Sequence, residues 1–357
     1  MISFKKYLVV AVGLILLAIQ YCFAQPAGYY LSAEGKTGTQ LQQALHDIID
    51  NQTPLTYTAL WTAFQVTDKK STGKVWDMYS DKPGTTPAYT YTFVTDQCGN
   101  YSAEGDCYNR EHSFPKSWFN DLEPMYTDLF HLYPTDGYVN GKRSNYPFGT
   151  TNSPSWTSTN GSRLGPSSYP GYSGIVFEPI NEYKGDFART MFYMAVRYYG
   201  EDSGWAGSDM VTGSQLKDWA LKMCLEWHKN DPVSSKETAR NEAVYGQQGN
   251  RNPFIDNPSY ADLIWGTQSS TGVTTDYIVR VNVFPNPATD NVRVVLPSGS
   301  NGIVEIFITD ISGKLLYHQK STSNDISMDV SFLDPGLYII KAESANKLYR
   351  VRLVVSR

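Results

Sequence analysis

The sequence predicts an α+β fold, with a mostly helical body that carries long loops and a small all-β sandwich after it. Three observations support this class. Apolar residues recur with helical spacing in three segments of the body, 35–51, 185–200 and 214–230. The segment 112–184 is rich in Gly, Ser, Asn, Pro and Tyr, which is typical of long ordered loops. The tail consists of short β-type runs separated by turn residues.

The segment 1–24 is predicted to be an export signal. Lys5 and Lys6 precede an apolar run of about a dozen residues, and Ala24 supplies a small residue at the expected cleavage point. A run of this length is too short to span a bilayer, which takes about 20 apolar residues, and no later segment is longer. We therefore expect cleavage near Ala24 and no membrane span.

The helical segments place the body at residues 25–265. A polar stretch, GTQSSTGVTTD, then begins a linker that we predict at 266–280. The tail, at 281–357, contains seven β-type runs whose short spacing predicts a small antiparallel sandwich. These runs are VNVFPNP, NVRVVLP, GIVEIFITD, GKLLYHQK, DISMDVSF, GLYIIKAES and KLYRVRLVV.

Three cysteines remain after the export signal is removed, namely Cys98, Cys107 and Cys224. Exported proteins form disulfides, so we expect Cys98 and Cys107 to pair. In the chain-entropy model a loop of that size contributes roughly 2.5–3 kcal/mol. Cys224 lies in the third helical segment and is predicted to be a small core residue. The sequence has no CxxC motif and no Cys/His cluster of the kind that binds zinc.

The net charge of −5, from 30 basic and 35 acidic residues, is unevenly distributed along the chain. The tail is close to neutral at +1, whereas the body without the export signal is near −9. An acidic body argues against broad electrostatic adhesion to nucleic acid. Any phosphate-binding role must therefore depend on a local basic patch or on a bound cation.

Residues suited to hydrolysis are concentrated around the stretch CYNREHSFPKSWF, residues 107–119. A histidine titrates close to working pH, so His112 suits the role of general base. Glu111, its neighbour, and Asn140, at a predicted helix about 30 residues later, offer the hard oxygen ligands that Mg²⁺ prefers. Arg143, one helical turn beyond Asn140, presents a planar fork that suits a phosphate. This combination is typical of metal-assisted hydrolysis of a phosphodiester.

Four segments in the same order closely resemble the bacterial endonuclease I family of secreted, non-specific nucleases. The resemblance covers roughly residues 29–264, and it implies a ββα-metal core and the cleavage of DNA and RNA with a divalent ion. The segments that carry it are NREHSFPKSW, VNGKRSNYPFG, QGNRNPFID and KGDFARTMFYMAVRYY.

The resemblance implies a role for individual residues. His112 is the implied general base, and Glu111 and Asn140 are the implied ligands of Mg²⁺ or another divalent cation such as Mn²⁺. Candidate substrate contacts are Arg110, Arg143 and Arg251, since family members differ in which arginine touches the scissile phosphate.

The tail is similar to the C-terminal sorting domain of the type IX secretion system of Bacteroidota, in the segments VFPNPATDNVRV, DISGKLLY, LDPGLYIIKAE and KLYRVRLVVSR. This likeness implies export to the extracellular space or the outer-membrane surface, with the type IX machinery as a partner. We expect the protein to act on nucleic acid as a monomer.

Two other classes of function remain open at this stage. A cell-surface binding module or adhesin without catalysis would use the polar and aromatic loops to hold a glycan, and the acidic body is compatible with it. A Cys/His hydrolase is the weaker alternative, because Cys107 is expected to be bridged. His46, His131 and His228 are predicted to be structural.

The acidity of the body is compatible with a nuclease if its cations converge on one face beside His112. The cations expected to do so are Arg110, Lys116, Lys142, Arg143, Arg189, Arg240 and Arg251.

Overall fold

The structure, a computed structural model, describes residues 25–266, 282–296, 304–310, 314–344 and 347–357. The chain divides into two units, Met1–Gly266 and Thr267–Arg357. The predicted export signal and residues 267–280 of the predicted linker lie outside the described residues. Within the described ranges, no helix is both long enough and apolar enough to cross a bilayer.

Helices account for most of the regular structure of the first unit. Each of the three segments with helical spacing contains one of these helices. Apolar side chains three and four residues apart form one stripe along a helix, and burial of that stripe stabilises the helix. In chain order the α-helices are α1 (Gly38–Ile49), α2 (Leu60–Thr67), α3 (Gly137–Arg143), α4 (Asn181–Arg197), α5 (Asp218–Asn230), α6 (Ser235–Gln248), α7 (Pro253–Asp256) and α8 (Tyr260–Trp265).

The strands of the first unit form three small antiparallel sheets. In the described residues β1 pairs with β2, β4 lies between β3 and β5, and β6 pairs with β7. Together with the helices, these sheets give a mixed helix and strand architecture that is compatible with the predicted α+β class. The strands are β1 (Tyr108–His112), β2 (Leu132–Asp136), β3 (Trp156–Thr157), β4 (Arg163–Pro166), β5 (Ile175–Glu178), β6 (Val211–Thr212) and β7 (Gln215–Leu216).

Helix α4 passes through the hydrophobic core of the first unit. Its side chains are buried on all sides, and Phe187, Phe192 and Met194 are fully enclosed. A helix surrounded in this way is a core element rather than a surface one. Three of its charged residues, Asp186, Arg189 and Arg197, are buried too, so they require partners inside the protein.

Helix α6 was not predicted, because its sequence, SKETARNEAVYGQQ, has only a weak apolar stripe. Hydrogen bonds in its first turn compensate for this weak apolar stripe. The Ser234 hydroxyl accepts from the Glu237 amide at 3.2 Å, and the Glu237 carboxylate accepts from the Ser234 amide at 2.9 Å. This reciprocal pair is a capping box, which satisfies two otherwise free amides at the start of the helix.

The described residues of the second unit include seven strands in two antiparallel sheets, one strand for each run predicted in the tail. One sheet has the order β11-β10-β13-β14, the other has the order β12-β9-β8, and buried residues of both sheets join a single hydrophobic cluster. The strands are β8 (Asn282–Phe284), β9 (Asn291–Val295), β10 (Val304–Asp310), β11 (Leu315–Ser321), β12 (Asp325–Asp329), β13 (Gly336–Ser344) and β14 (Lys347–Val355).

Replacing the cap of α6 tests how much that helix depends on its first turn. We expect Ser234→Ala to lower the free energy of unfolding by about 1 kcal/mol, because the Glu237 amide loses its acceptor. Urea unfolding of the full chain, followed by tryptophan fluorescence, measures this directly, since all 8 tryptophans lie in the first unit. Ser235→Ala, at the exposed neighbouring position, is the matched control. Equal losses for both variants would contradict the capping role.

Candidate active site

Strands β1 and β2 and helix α3 bring the predicted site residues onto neighbouring elements. In the antiparallel pair, Glu111 lies opposite Tyr133 and His112 lies opposite Leu132. Helix α3 begins directly after β2 and packs against β1. Asn140, on α3, therefore lies beside a strand that precedes it by about 30 residues in the chain.

Asp136, the last residue of β2, fixes the start of α3. Its Oδ1 accepts from the Val139 amide at 2.8 Å, which caps the helix. Its Oδ2 accepts from the hydroxyls of Tyr89 and Tyr91, at 2.9 and 2.6 Å, and from the Gly105 amide at 2.8 Å. These bonds compensate the buried carboxylate and hold the helix at one angle to the strands.

The loop before β1 packs on the same helix. Cys98 and Cys107 form the predicted disulfide, with their Cα atoms 5.7 Å apart. Tyr101, inside this loop, lies on α3 where Gly137 and Gly141 expose the backbone. A Cβ atom at either glycine would approach the Tyr101 ring or hydroxyl to 2.6 or 2.7 Å, which is closer than contact distance. Only glycine permits this approach, which explains two poor helix formers in a seven-residue helix.

One face of β1 contacts α3 through two hydrogen-bonded pairs. Residues two apart in a strand point to the same side, and residues three apart in a helix share a face. The Asn140 side-chain amide donates to Asn109 Oδ1 at 2.7 Å, and Arg143 donates to the Glu111 carboxylate at 3.0 Å. The two pairs fix the positions of Glu111 and Asn140 relative to each other.

The Glu111 carboxylate is buried, with 2% of the residue exposed. Its Oε1 accepts from both Arg143 and the Tyr79 hydroxyl, the latter at 2.8 Å. Burial raises the pKa of Glu111, while the Arg143 charge and the Tyr79 hydrogen bond oppose that rise. Both of these hydrogen bonds use Oε1.

The His112 imidazole lies at the end of β1 with 6% of the residue exposed. Its Nε2 is 3.1 Å from the Tyr126 carbonyl oxygen, and its ring lies 5.5 Å from the ring of the fully buried His131. Burial lowers the pKa of His112 well below the usual range for histidine, and the charge of His131 adds to this effect. The imidazole is therefore neutral at ordinary pH.

Two cations and three aromatic rings form a connected group that reaches His112. The Arg110 guanidinium is 3.5 Å from the Tyr57 ring centroid and 4.4 Å from that of Trp61. The Tyr57 and Tyr126 rings lie 6.2 and 5.1 Å from the His112 ring, and the Lys116 ammonium lies 5.5 Å from that of Tyr126. We refer to this group as the aromatic–cationic strip, which consists of Tyr57, Trp61, Arg110, Lys116 and Tyr126.

Arg143 does not lie where a phosphate contact would, and the structure corrects that prediction. Its side chain is 0% exposed. Besides Glu111, it donates to the carbonyl oxygens of His112, at 2.9 Å, and Ser113, at 2.5 Å. A guanidinium enclosed by the end of β1 cannot reach a substrate while that strand is intact. Arg143 therefore positions the strand.

Arg251 is the second predicted substrate contact that the structure places in the interior. The residue is 1% exposed and donates to the carboxylates of Glu242, at 2.9 Å, and Asp256, at 2.7 Å. Two carboxylates compensate its charge, and the enclosed side chain presents no surface to a phosphate.

The single basic face that the sequence predicts is not formed. Four of the seven cations are buried arginines. An arginine can be desolvated only when carboxylates or carbonyls compensate its charge, so each buried one has such partners. Arg189, for example, pairs with Glu237, and Arg240 pairs with Asp68. The cations of this set that retain exposure are Arg110, Lys116 and Lys142.

Three contacts of the predicted site residues were missed from the sequence. Asn109 could have been found, because strand alternation places it on the same face as Glu111. Tyr79 and the Tyr126 carbonyl come from irregular segments remote in the chain. With 26 tyrosines present, composition gives no indication of which ones approach the site.

Removing the charge of Arg143 tests the buried pair. We expect Arg143→Met to lower the free energy of unfolding by about 3–5 kcal/mol, because Glu111 is left buried and uncompensated. Urea unfolding followed by tryptophan fluorescence measures the loss. Lys142→Met, the neighbouring cation on the same helix, serves as control and should change stability by less than about 1 kcal/mol. A loss of similar size in both variants would contradict the role assigned to Arg143.

Comparison with known families and relatives agrees with both sequence resemblances. Residues 37–259 match the Endonuclease I family, and residues 282–356 match the family described as Secretion system C-terminal sorting domain. The extracellular ribonuclease of Bacillus amyloliquefaciens is 39% identical over 249 residues, which is 66% of this chain and 78% of the relative.

Two further relatives extend this similarity. The extracellular ribonuclease of Bacillus subtilis (strain 168) is 37% identical over 255 residues, covering 68% of this chain and 80% of the relative. A periplasmic deoxyribonuclease of Aeromonas hydrophila is 28% identical over 145 residues, covering 39% of this chain and 49% of the relative. The sorting domain and the extracellular relatives also bear out the expected secreted or cell-surface location. The chain belongs to the endonuclease I family and carries a type IX secretion sorting domain.

Proposed function

We propose that this protein is an extracellular, Mg²⁺-dependent endonuclease that hydrolyses the phosphodiester bonds of DNA and RNA with little sequence specificity. Family membership supports a hydrolase of nucleic acids, and the relatives include ribonucleases and a deoxyribonuclease. The structural observation that carries the proposal is the position of Glu111 and His112, adjacent on β1 and beside the helix that bears Asn140.

The donor set fits Mg²⁺, which prefers a few hard oxygen ligands and retains several waters. Hydrogen bonds occupy Glu111 Oε1 and the Asn140 amide nitrogen, so we assign Glu111 Oε2 and Asn140 Oδ1 as the ligands. When bound, the ion supplies charge neutralisation at the phosphate and the leaving oxygen. The Arg143–Glu111 pair holds the carboxylate in place for it.

His112 is the proposed general base. The Tyr126 carbonyl can only accept a hydrogen bond, so the nearby Nε2 carries the ring proton and Nδ1 carries the lone pair. Nδ1 takes a proton from a water molecule, whose oxygen attacks the phosphorus. The bond from phosphorus to the leaving oxygen then breaks, and that oxygen takes a proton from solvent. A lowered pKa keeps the imidazole neutral, which is the form that can accept the proton.

The aromatic–cationic strip is the proposed binding surface for the nucleic acid. Arg110 and Lys116 are its cations, and each contacts an aromatic ring that lies near His112. Tyrosine and tryptophan rings stack on bases of any identity, which favours binding without sequence preference. Of the three arginines predicted to contact substrate, Arg110 is the one that we retain.

The proposal also includes the predictions about the nuclease core, the tail domain and the oligomeric state. We propose that β1, β2 and α3 form the ββα-metal core of the family. We also propose that the second unit is a sandwich recognised by the type IX secretion machinery, and that the nuclease acts as a monomer. Two observations support this assignment. They are the pairing of β1 with β2 directly before α3, and the shared hydrophobic cluster of the two tail sheets.

His112→Ala tests the general base. We expect the rate of plasmid digestion with saturating Mg²⁺ to fall at least about 100-fold, because no group remains to deprotonate the water. His318→Ala, which removes an exposed imidazole of the second unit, is the control and should digest plasmid at the original rate. Undiminished cleavage by His112→Ala would show that another group is the base.

Asn140→Ala tests the cation site. We expect the Mg²⁺ concentration for half-maximal plasmid digestion to rise about tenfold or more, because one of two protein ligands is lost. Asn51→Ala, at an exposed asparagine, should leave that concentration unchanged. EDTA should abolish cleavage by the parent protein. If the parent protein binds DNA but does not cleave it at any Mg²⁺ concentration, that result would instead favour a cell-surface binding module without catalysis.

A further inference from the structure

A second group of ligand side chains lies in the first unit, outside the candidate active site. It consists of His46, Asp50 and Glu201, whose ligand atoms all lie within 4.8 Å of one another. His46 and Asp50 are four residues apart at the C-terminal end of α1, so they share one face. Glu201 follows the end of α4. Across the described ranges, this is the one group of three or more His, Cys, Asp or Glu residues with such spacing.

The His46 imidazole is held in the orientation that a metal-binding histidine requires. The residue is 8% exposed, and its Nδ1 lies 3.1 and 3.0 Å from the carbonyl oxygens of Val196 and Arg197. Because carbonyls only accept, Nδ1 carries the proton and Nε2 carries the lone pair. A histidine whose second nitrogen donates to a carbonyl is the usual arrangement beside a bound metal.

The Nε2 atom of His46 points into the group without a hydrogen bond to any described residue. The nearest anionic atom is Glu201 Oε1 at 3.8 Å. A lone pair that faces a carboxylate at this distance is repelled unless a positive charge lies between them. A cation between the imidazole and the carboxylate would remove this repulsion.

The surroundings favour a cation. The last turns of α1 and α4 converge here, and the carbonyl ends of helices attract positive charge. Asp50 and Glu201 supply two negative charges, and Arg197 is the cation that pairs with Glu201. Arg197 donates to Glu201 Oε2 at 2.8 Å, which leaves Oε1 directed at His46. The local charge is therefore close to −1 before any ion binds.

We propose that His46 Nε2, Asp50 and Glu201 bind a Zn²⁺ ion. One imidazole nitrogen and two carboxylate oxygens form a donor set that suits zinc better than the all-oxygen sets of Mg²⁺ and Ca²⁺. Tetrahedral zinc with bonds of about 2.1 Å places its ligand atoms about 3.4 Å apart. The observed spacing reaches this value through small rotations of two surface carboxylates. The ion links the end of α1 to the end of α4 and retains one position for water.

Titration of the metal-free full chain with ZnCl₂ in a calorimeter tests the site. We expect one Zn²⁺ per chain, and Zn²⁺ should raise the thermal unfolding midpoint reported by tryptophan fluorescence. Glu201→Gln and Asp50→Asn should each weaken this binding at least about tenfold. Glu201→Gln retains the hydrogen-bond acceptor for Arg197. Glu201 is exposed and Asp50 is half-buried, so the unfolding midpoint of each metal-free variant separates loss of binding from misfolding.

Asp47→Asn is the matched control, because Asp47 lies on the same helix but its exposed carboxylate accepts from Gln43 at 2.7 Å. This variant should bind Zn²⁺ like the parent. Equal binding by Glu201→Gln, Asp50→Asn and the parent would place the ion elsewhere and overturn the proposal. Absence of any Zn²⁺ binding by the parent would also overturn it. The test reads binding and stability alone, so its outcome is independent of nuclease activity.

Discussion

The candidate active site depends on one buried ion pair, between Arg143 on α3 and Glu111 on β1. Through the same guanidinium, Arg143 also binds the carbonyls of His112 and Ser113, so a single side chain fixes the whole end of the strand. Burying two charges is costly, and an apolar pair would stabilise the fold as well or better. The pair instead gives a defined position to a carboxylate and to the imidazole that follows it. Precise placement of both groups is what hydrolysis at this site requires.

The same constraint explains how an acidic protein can act on a polyanion. Four of the seven cations expected on a basic face neutralise carboxylates in the interior, so they contribute nothing to a basic surface. In the proposed mechanism, attraction of phosphate is left to a divalent cation and to the two cations of the aromatic–cationic strip. Under that proposal the substrate is held locally at the site rather than across a broad face. The proposed zinc site belongs to a different part of the first unit, where two helix ends meet.

The sequence was sufficient for the main helices, the seven described tail strands and the disulfide. Each of these follows from a local pattern or from adjacency along the chain. The sequence was insufficient for Arg143 and Arg251, because a phosphate fork and a buried ion pair use the same residue type. Only tertiary packing shows that both are enclosed by carboxylates and carbonyls. Tyr79 and the Tyr126 carbonyl reach the site from irregular segments, whose path no periodicity predicts. Helix α6 was missed because its stability at the N-terminal end comes from a capping box rather than from an apolar stripe.

The central claim is that Glu111 and Asn140 hold a divalent cation next to the His112 imidazole. Anomalous diffraction from crystals of the full chain soaked in Mn²⁺ tests it most directly, because the peak locates the ion without reference to activity. The account predicts a peak within bonding distance of one Glu111 carboxylate oxygen and of Asn140 Oδ1, with His112 Nδ1 facing the same space. Strong Mn²⁺ peaks elsewhere on the chain, and none between Glu111 and Asn140, would contradict it.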